Sequence, residues 1–243
     1  MPQAPIAKIV HPALEYPESE ITMKDTLPDT RIQADAKMVA DYVRRSKDFV
    51  FCEPLSPYEH MGATVLDATL QAGLNYESVV RPRVNRLRQM YPDAKTTTAF
   101  FDLLKTVTLQ ELTNWTNVEK LTRMRCVLDL LRDEKIETES GLAEWLKSEA
   151  NQQKMKKCRG IKNKTLDYYK LLTGGSVLAI DRHLYNFLRL VGVDIENDQY
   201  LRAQNILREV ATLLNIEERV LDHSIWKYMT SSTRSAPSVC KRY

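Results

Sequence analysis

Nothing in this chain of 243 residues stays apolar for 18 residues in a row, so no segment is expected to span a membrane. The stretch Met1 to Tyr16 is proline-spaced and lacks the charged-then-apolar pattern of a secretion signal. Glycines number only seven, and β-branched residues nowhere alternate with polar ones over a useful length, which argues against sheet. The four cysteines (Cys52, Cys126, Cys158 and Cys240) are scattered and form no CxxC pair. Neither a zinc site nor an iron–sulfur cluster is suggested, and reduced thiols of a cytosolic protein are the simplest expectation. A net charge of +3 is too small to prove nucleic-acid binding. No internal repeat and no long low-complexity segment is present.

What is present is helical periodicity. Apolar residues make up 43% and charged residues 28%, the balance of a soluble globular protein. Prolines 2, 5, 12, 17 and 28 predict an extended arm over residues 1–33. Asp35 to Val50 reads as an amphipathic helix with Ala36, Val39, Ala40 and Val43 on one side. Ser56 and Pro57 read as the N-cap and first residue of the next helix. Apolar spacing of three and four then predicts helices over Tyr58–Leu74, Val79–Met90, Ala99–Leu104 and Val118–Leu131. Further helices are expected over Ser140–Leu146, Lys164–Leu172, Asp181–Leu190, Asp198–Leu214 and Glu217–Met229, and the tail from Ser231 is expected to be mobile. The fold class is all-α. Leu66, Leu70, Leu103, Leu104, Val127, Leu130 and Leu131 are read as packing residues.

Charge gathers in one place. From Lys154 to Lys170 seven lysines or arginines stand against one acid, Asp167. Within that run, Cys158-Arg159-Gly160-Ile161-Lys162-Asn163-Lys164-Thr165 reads as a short hairpin opening a helix, with Lys164 in its first turn. A helix N-terminus beside a cationic hairpin suits phosphate. Asp181 follows at the start of the next helix. A lysine and a carboxylate are the two groups that chemistry on a sugar–base bond requires. On position alone Asp181 is equally an N-cap, and Lys164 is equally one more phosphate contact. Arg81, Arg83, Arg86 and Arg88 make a further basic helix, either along a nucleic-acid backbone or simply solvated.

The two motifs in this order resemble those of the helix-hairpin-helix DNA glycosylase superfamily, the group of endonuclease III and the 8-oxoguanine glycosylases. Cys158 to Leu166 is similar to that family's hairpin, and Ile180-Asp181-Arg182-His183-Leu184 to its Val-Asp-Thr-His-Val. Leu70-Gln71-Ala72-Gly73 resembles its Gln-Ala turn and Asp222 to Trp226 its last core helix. The hairpin departs from the family at Arg159, in place of proline, and at Lys162, in place of the second glycine. The four-cysteine cluster of some members is absent.

The resemblance implies two helical lobes with the active site in the cleft between them. One lobe spans 58–175 and ends in the hairpin; the other joins 34–57 to 176–230, with 231–243 as a flexible tail. It implies a base-excision enzyme that flips a damaged or mismatched nucleotide out of double-stranded DNA. Lys164 would attack the sugar, with strand cleavage following, and Asp181 would support departure of the base. Arg159, Gly160, Ile161, Lys162, Asn163 and Thr165 would hold phosphate, and Gln71 would fill the gap left in the duplex. No metal site and no cofactor is required, although hairpins of this type often hold a monovalent cation through backbone carbonyls. A monomer in the cytoplasm, on the nucleoid or in a nucleus is the corresponding setting. The alternatives are a binding protein that has lost the chemistry and an abasic-site lyase that excises no base. Tyr76, His60, His223 and Trp226 are read as packing residues, and His183 as support for the local backbone.

Overall fold

The computed structural model describes residues 29–54 and 56–231; most of the expected arm, and the tail beyond Ser231, lie outside them. Among the described residues the chain is helical throughout, with no strand. Helix α1 (Asp29–Arg45) begins earlier than its sequence pattern suggests, taking in residues 29–33 of the expected arm. Its Ala36, Val39, Ala40 and Val43 are the buried face, as their spacing predicts.

Helix α2 (Met61–Leu70) does not start at Ser56-Pro57. His60 is its N-cap, with Nδ1 accepting from the Ala63 amide at 3.2 Å, and Glu59 just before it is left-handed at φ 52°. Glu139 accounts for the shift: its carboxylate accepts from the backbone amides of Glu59 and His60 and from the Thr64 hydroxyl. Such a tertiary anchor is invisible to a local cap pattern.

The expected helix over Val79–Met90 is a π-helical turn (Tyr76–Val80) leading into α3 (Arg81–Met90). Then come α4 (Thr97–Leu103), α5 (Leu109–Thr113) and α6 (Val118–Asp133), followed by α7 (Glu139–Trp145), α8 (Glu149–Lys156) and α9 (Asn163–Leu172). Helices α5 and α8 were not legible from periodicity, being short. Thr96, Thr108, Asn117 and Thr138 cap α4 to α7 with their side chains, each contributing about 1 kcal/mol. Helices α10 (Arg182–Val191), α11 (Tyr200–Leu214) and α12 (Glu218–Ser231) complete the chain.

Two apolar cores result. The first gathers α2 to α9 around Met61, Leu66, Leu70, Phe100, Val127, Leu131 and Tyr169, with Leu103, Leu104 and Leu130 packed against it. Gly62 lets α2 approach α4 closely, since a Cβ there would sit 2.3 Å from the Phe100 ring. The second core joins α1 to α10, α11 and α12 through Val39, Phe187, Leu188, Ile206, Val210 and Leu221. A buried ion pair, Arg202 to Asp35 at 2.8 Å, fastens α1 onto α11. Between the cores, Asp167 of α9 accepts from the Tyr200 hydroxyl at 2.8 Å and from Gln204 at 3.1 Å, both on α11. Those two bonds tie α9 of the first core to α11 of the second.

The expected free thiols are corrected: Cys126 of α6 and Cys158 form a disulfide. Thirty-two residues separate the two, so no short motif marks the pair. Helix packing, not local spacing, brings them together.

Candidate active site

The site forms where the first turn of α9, the C-terminal end of α2, the residues before α10 and one face of α12 meet. Lys164 is the second residue of α9 and only partly exposed. Its Nζ donates to Gln71 Oε1 at 3.3 Å and lies 5.1 Å from the centroid of the Tyr168 ring, one helical turn on. Lys164 is held below the ordinary lysine range because burial disfavours the ammonium, and Arg182 acts in the same direction. Asp181, Asp222 and Asp67 oppose that by attraction. The site therefore presents an amine that loses its proton more readily than a surface lysine.

Asp181 is the N-cap of α10, with Oδ1 accepting from the His183 amide at 2.7 Å and the Leu184 amide at 3.1 Å. Capping occupies one oxygen; Oδ2 makes no hydrogen bond among the described residues. The cap and a role facing Lys164 are thus compatible, because they use different atoms. Asp222 of α12 accepts from the Ala179 amide at 2.8 Å and so holds the strand of chain that delivers Asp181. Its carboxyl is pushed up to about 8 by burial, with Asp181 adding repulsion, so it is largely protonated at neutral pH.

His223 and Trp226 are not core residues, contrary to their sequence reading. Trp226 stacks on His223 with 6.1 Å between centroids and meets His183 edge-on at 6.5 Å. Across the gap it meets Tyr76 of the first lobe at 5.8 Å, also edge-on. Burial depresses the imidazoles of His183 and His223, the latter to about 4 with help from Lys227, so both stand neutral. His60, by contrast, is buried and serves its helix.

The hairpin is built differently. Arg159, Lys162 and Asn163 are exposed, while the side chains of Ile161 and Thr165 are buried, so those two can offer only backbone groups outward. Arg123 of α6 donates to the Arg159 carbonyl at 2.8 Å, and its guanidinium lies against Gly160. Gly160 sits at φ 86°, and a Cβ there would fall 2.0 Å from Arg123 Nη2. With the Cys126–Cys158 bridge, α6 grips the hairpin at two points. Two lysines of the basic run are already paired, Lys154 with Glu134 and Lys170 with Asp167. The arginines of α3 are also engaged: Arg81 pairs with Glu77, and Arg83 and Arg86 donate to backbone carbonyls around the end of α5. Arg88 lies over the Tyr58 ring.

Several residues here went unremarked in the sequence. Lys120 of α6 donates to the carbonyls of Thr69, Leu70 and Ala72 at 3.0, 3.3 and 2.8 Å, closing the end of α2 beside Gln71. Asp67, fully buried on α2, accepts from Tyr58 at 2.6 Å and Tyr168 at 3.1 Å. The one signal was a lone carboxylate inside the otherwise uncharged run Met61 to Leu70. Two surface cavities of about 690 and 360 Å³ lie elsewhere, one beside Lys37, Met38 and Val191 and the other beside Arg88 and Lys95.

An all-α protein with a lysine and carboxylates gathered between two apolar cores is the class that fold and site define. The chain belongs to a family described as a domain of unknown function (DUF8548), which matches residues 36–230. No curated protein gives a significant sequence match. Among solved structures, the chain is similar to the 8-oxoguanine glycosylase/lyase of Methanocaldococcus jannaschii, crystallised with a 15mer DNA containing 8-oxoguanine. Identity is 15% over 86% of this chain and 94% of that one, with a TM-score of 0.48.

Proposed function

We propose that the chain is a DNA repair glycosylase with associated abasic-site lyase activity. The observation that carries this reading is Lys164 itself: an amine weakened as a base by burial, one residue inside a helix start, with Asp181 in electrostatic reach. The sequence resemblance of the hairpin and of Ile180 to Leu184 supports it. Arg159, Lys162 and Asn163, with the amides at the start of α9, would hold the backbone phosphates of the duplex. A flipped nucleotide would enter beside Trp226, where aromatic faces from both lobes can stack on a base.

The neutral amine attacks C1′ as the bond from C1′ to the base breaks, the base leaving with that electron pair. Asp181 stabilises the positive charge that develops on the sugar. The attached nitrogen then loses a proton, and its lone pair opens the sugar ring at the C1′–O4′ bond to give the iminium. Loss of a C2′ proton expels the 3′ phosphate and cuts the strand. Gln71, bonded to Lys164 in the free protein, would be released to occupy the vacated place in the duplex. This chemistry asks for no metal and no organic cofactor.

Borohydride trapping tests the reading on duplexes carrying oxidised purines, oxidised pyrimidines, uracil or an abasic site. The expected result is a covalent adduct on one damaged base, reduced about a thousandfold in Lys164→Ala with DNA retention little changed. Asp181→Asn should slow base release while the protein stays folded. An adduct on abasic DNA alone would reduce the activity to that of a lyase. Loss of DNA retention in Lys164→Ala, with no adduct in the parent, would make Lys164 a phosphate contact.

A further inference from the structure

Asp67 has no part in the chemistry above, yet its placement is the most demanding in the molecule. It is fully buried on α2, where every residue is buried, and an unpaired carboxylate there would be strongly unfavourable. Its two oxygens are met by two phenols, Tyr58 on Oδ2 and Tyr168 on Oδ1. Tyr58 is in turn 3.2 Å from the Tyr76 hydroxyl. Tyr168 does two things at once: its hydroxyl donates to Asp67, and the face of its ring lies beneath the Lys164 amine. A phenol that donates to a carboxylate carries more electron density on its ring, and that strengthens the attraction of a cation above it.

We propose that Asp67 and Tyr168 form a seat that positions Lys164, Tyr168 supplying the surface under the amine and Asp67 supplying the acceptor and the buried negative charge that hold that surface in place. Asp67 is a positioning residue in this scheme, since it touches neither DNA nor the amine. Titratable and charged groups face Lys164 from three other elements as well: Asp181, Arg182 and His183 at α10, Asp222 on α12 and Lys120 on α6. Of the attractive ones, Asp181 reaches the amine from the second lobe, joined by Asp222 once it ionises near pH 8, and Asp67 from beneath, within the first. Burial lifts Asp67, the two phenols and Lys164 pull it back, and the balance stands at about 6, so it is largely anionic above neutral pH. In that state it favours the ammonium form of Lys164, and its removal must make the amine lose its proton at lower pH.

The inference rests on the lysine chemistry proposed above for its purpose, but its measurement does not need DNA. The parent, Asp67→Asn and Tyr168→Phe are each methylated briefly with formaldehyde and cyanoborohydride across about pH 6 to 10, and modification of Lys164 is read by peptide mass spectrometry. Asp67→Asn is expected to lower the midpoint for Lys164 by about one pH unit. Tyr168→Phe should move it the same way by less, while Lys154 keeps its midpoint in all three. An unmoved midpoint in both variants overturns the seat, even if borohydride trapping on DNA succeeds. A moved midpoint with no adduct on any DNA upholds the seat and removes the lyase reading instead. Should Asp67→Asn fail to fold, Tyr168→Phe decides alone, since it keeps the ring and deletes one hydroxyl.

Discussion

Lys162 and Lys164 stand two residues apart at the start of α9, and the fold treats them as different kinds of group. Lys162 is exposed on a hairpin that also turns Arg159 and Asn163 outward and is held from behind by Arg123 and the Cys126–Cys158 bridge. Lys164 is turned inward, over the Tyr168 ring and facing carboxylates drawn from both lobes. A surface cation binds phosphate best when it stays charged and solvated; a nucleophilic amine needs the opposite. Under the proposed function one helix start would serve both needs, because side chains two positions apart point in different directions around it. Binding and chemistry should therefore be separable by mutation.

The largest expected effect strikes the hairpin side. Cys126→Ser releases a 32-residue loop in the unfolded chain, with a loss of about 3.7 kcal/mol of stability. Thermal unfolding of the variant should show a fall of about 10 °C. Equal melting of parent and variant would mean that the bridge does not form in solution.

Gly160→Val sharpens the same contrast. It puts a β-branched residue at positive φ and drives Arg123 from its place. Duplex affinity in a filter-retention assay should drop about tenfold, since a displaced hairpin loses a charge-assisted phosphate contact. The pH midpoint of Lys164 methylation should stay where it is. A shift in that midpoint would show the two regions to be one unit.

The smallest effect belongs to the cleft and shows in pH dependence. Asp222 ionises at an ordinary carboxylate value when unfolded but near 8 when folded. Between those values the unfolded state has released a proton that the folded state keeps, so stability falls as pH rises through that window. His183 and His223 act the other way below about pH 6.5, because they are neutral when folded. Subtracting Asp222→Asn from the parent isolates the carboxyl. The variant should gain about 3 °C on the parent between pH 7 and pH 8. Parallel curves would place Asp222 in water.

What the sequence made legible was local. Spacing of apolar residues marked the buried face of α1, and a basic hairpin followed by Asp181 pointed to the candidate site, because helix starts and caps are encoded within a few residues. The rest depended on partners distant along the chain. Glu139 moves the start of α2 away from Ser56-Pro57 from 75 to 80 residues downstream. Tyr168 meets Asp67 across 101 residues. Trp226 looked like a core residue because an aromatic at helical spacing carries no sign of whether its face meets a core or a cleft.

Lys120 has a consequence for the field inside the cleft. A helix ends in carbonyls that together amount to about half a negative charge, and the end of α2 points toward Lys164 through Gln71. Left bare, those carbonyls would bind a proton to the neighbouring amine by attraction. Three of them instead face the Lys120 ammonium, which reverses the sign of that helix end. The two lysines repel, and Lys120 is itself held below its ordinary range by burial, with Arg123 and Lys164 contributing. One amine thus spends its charge on the backbone, and the potential it creates makes the other easier to discharge.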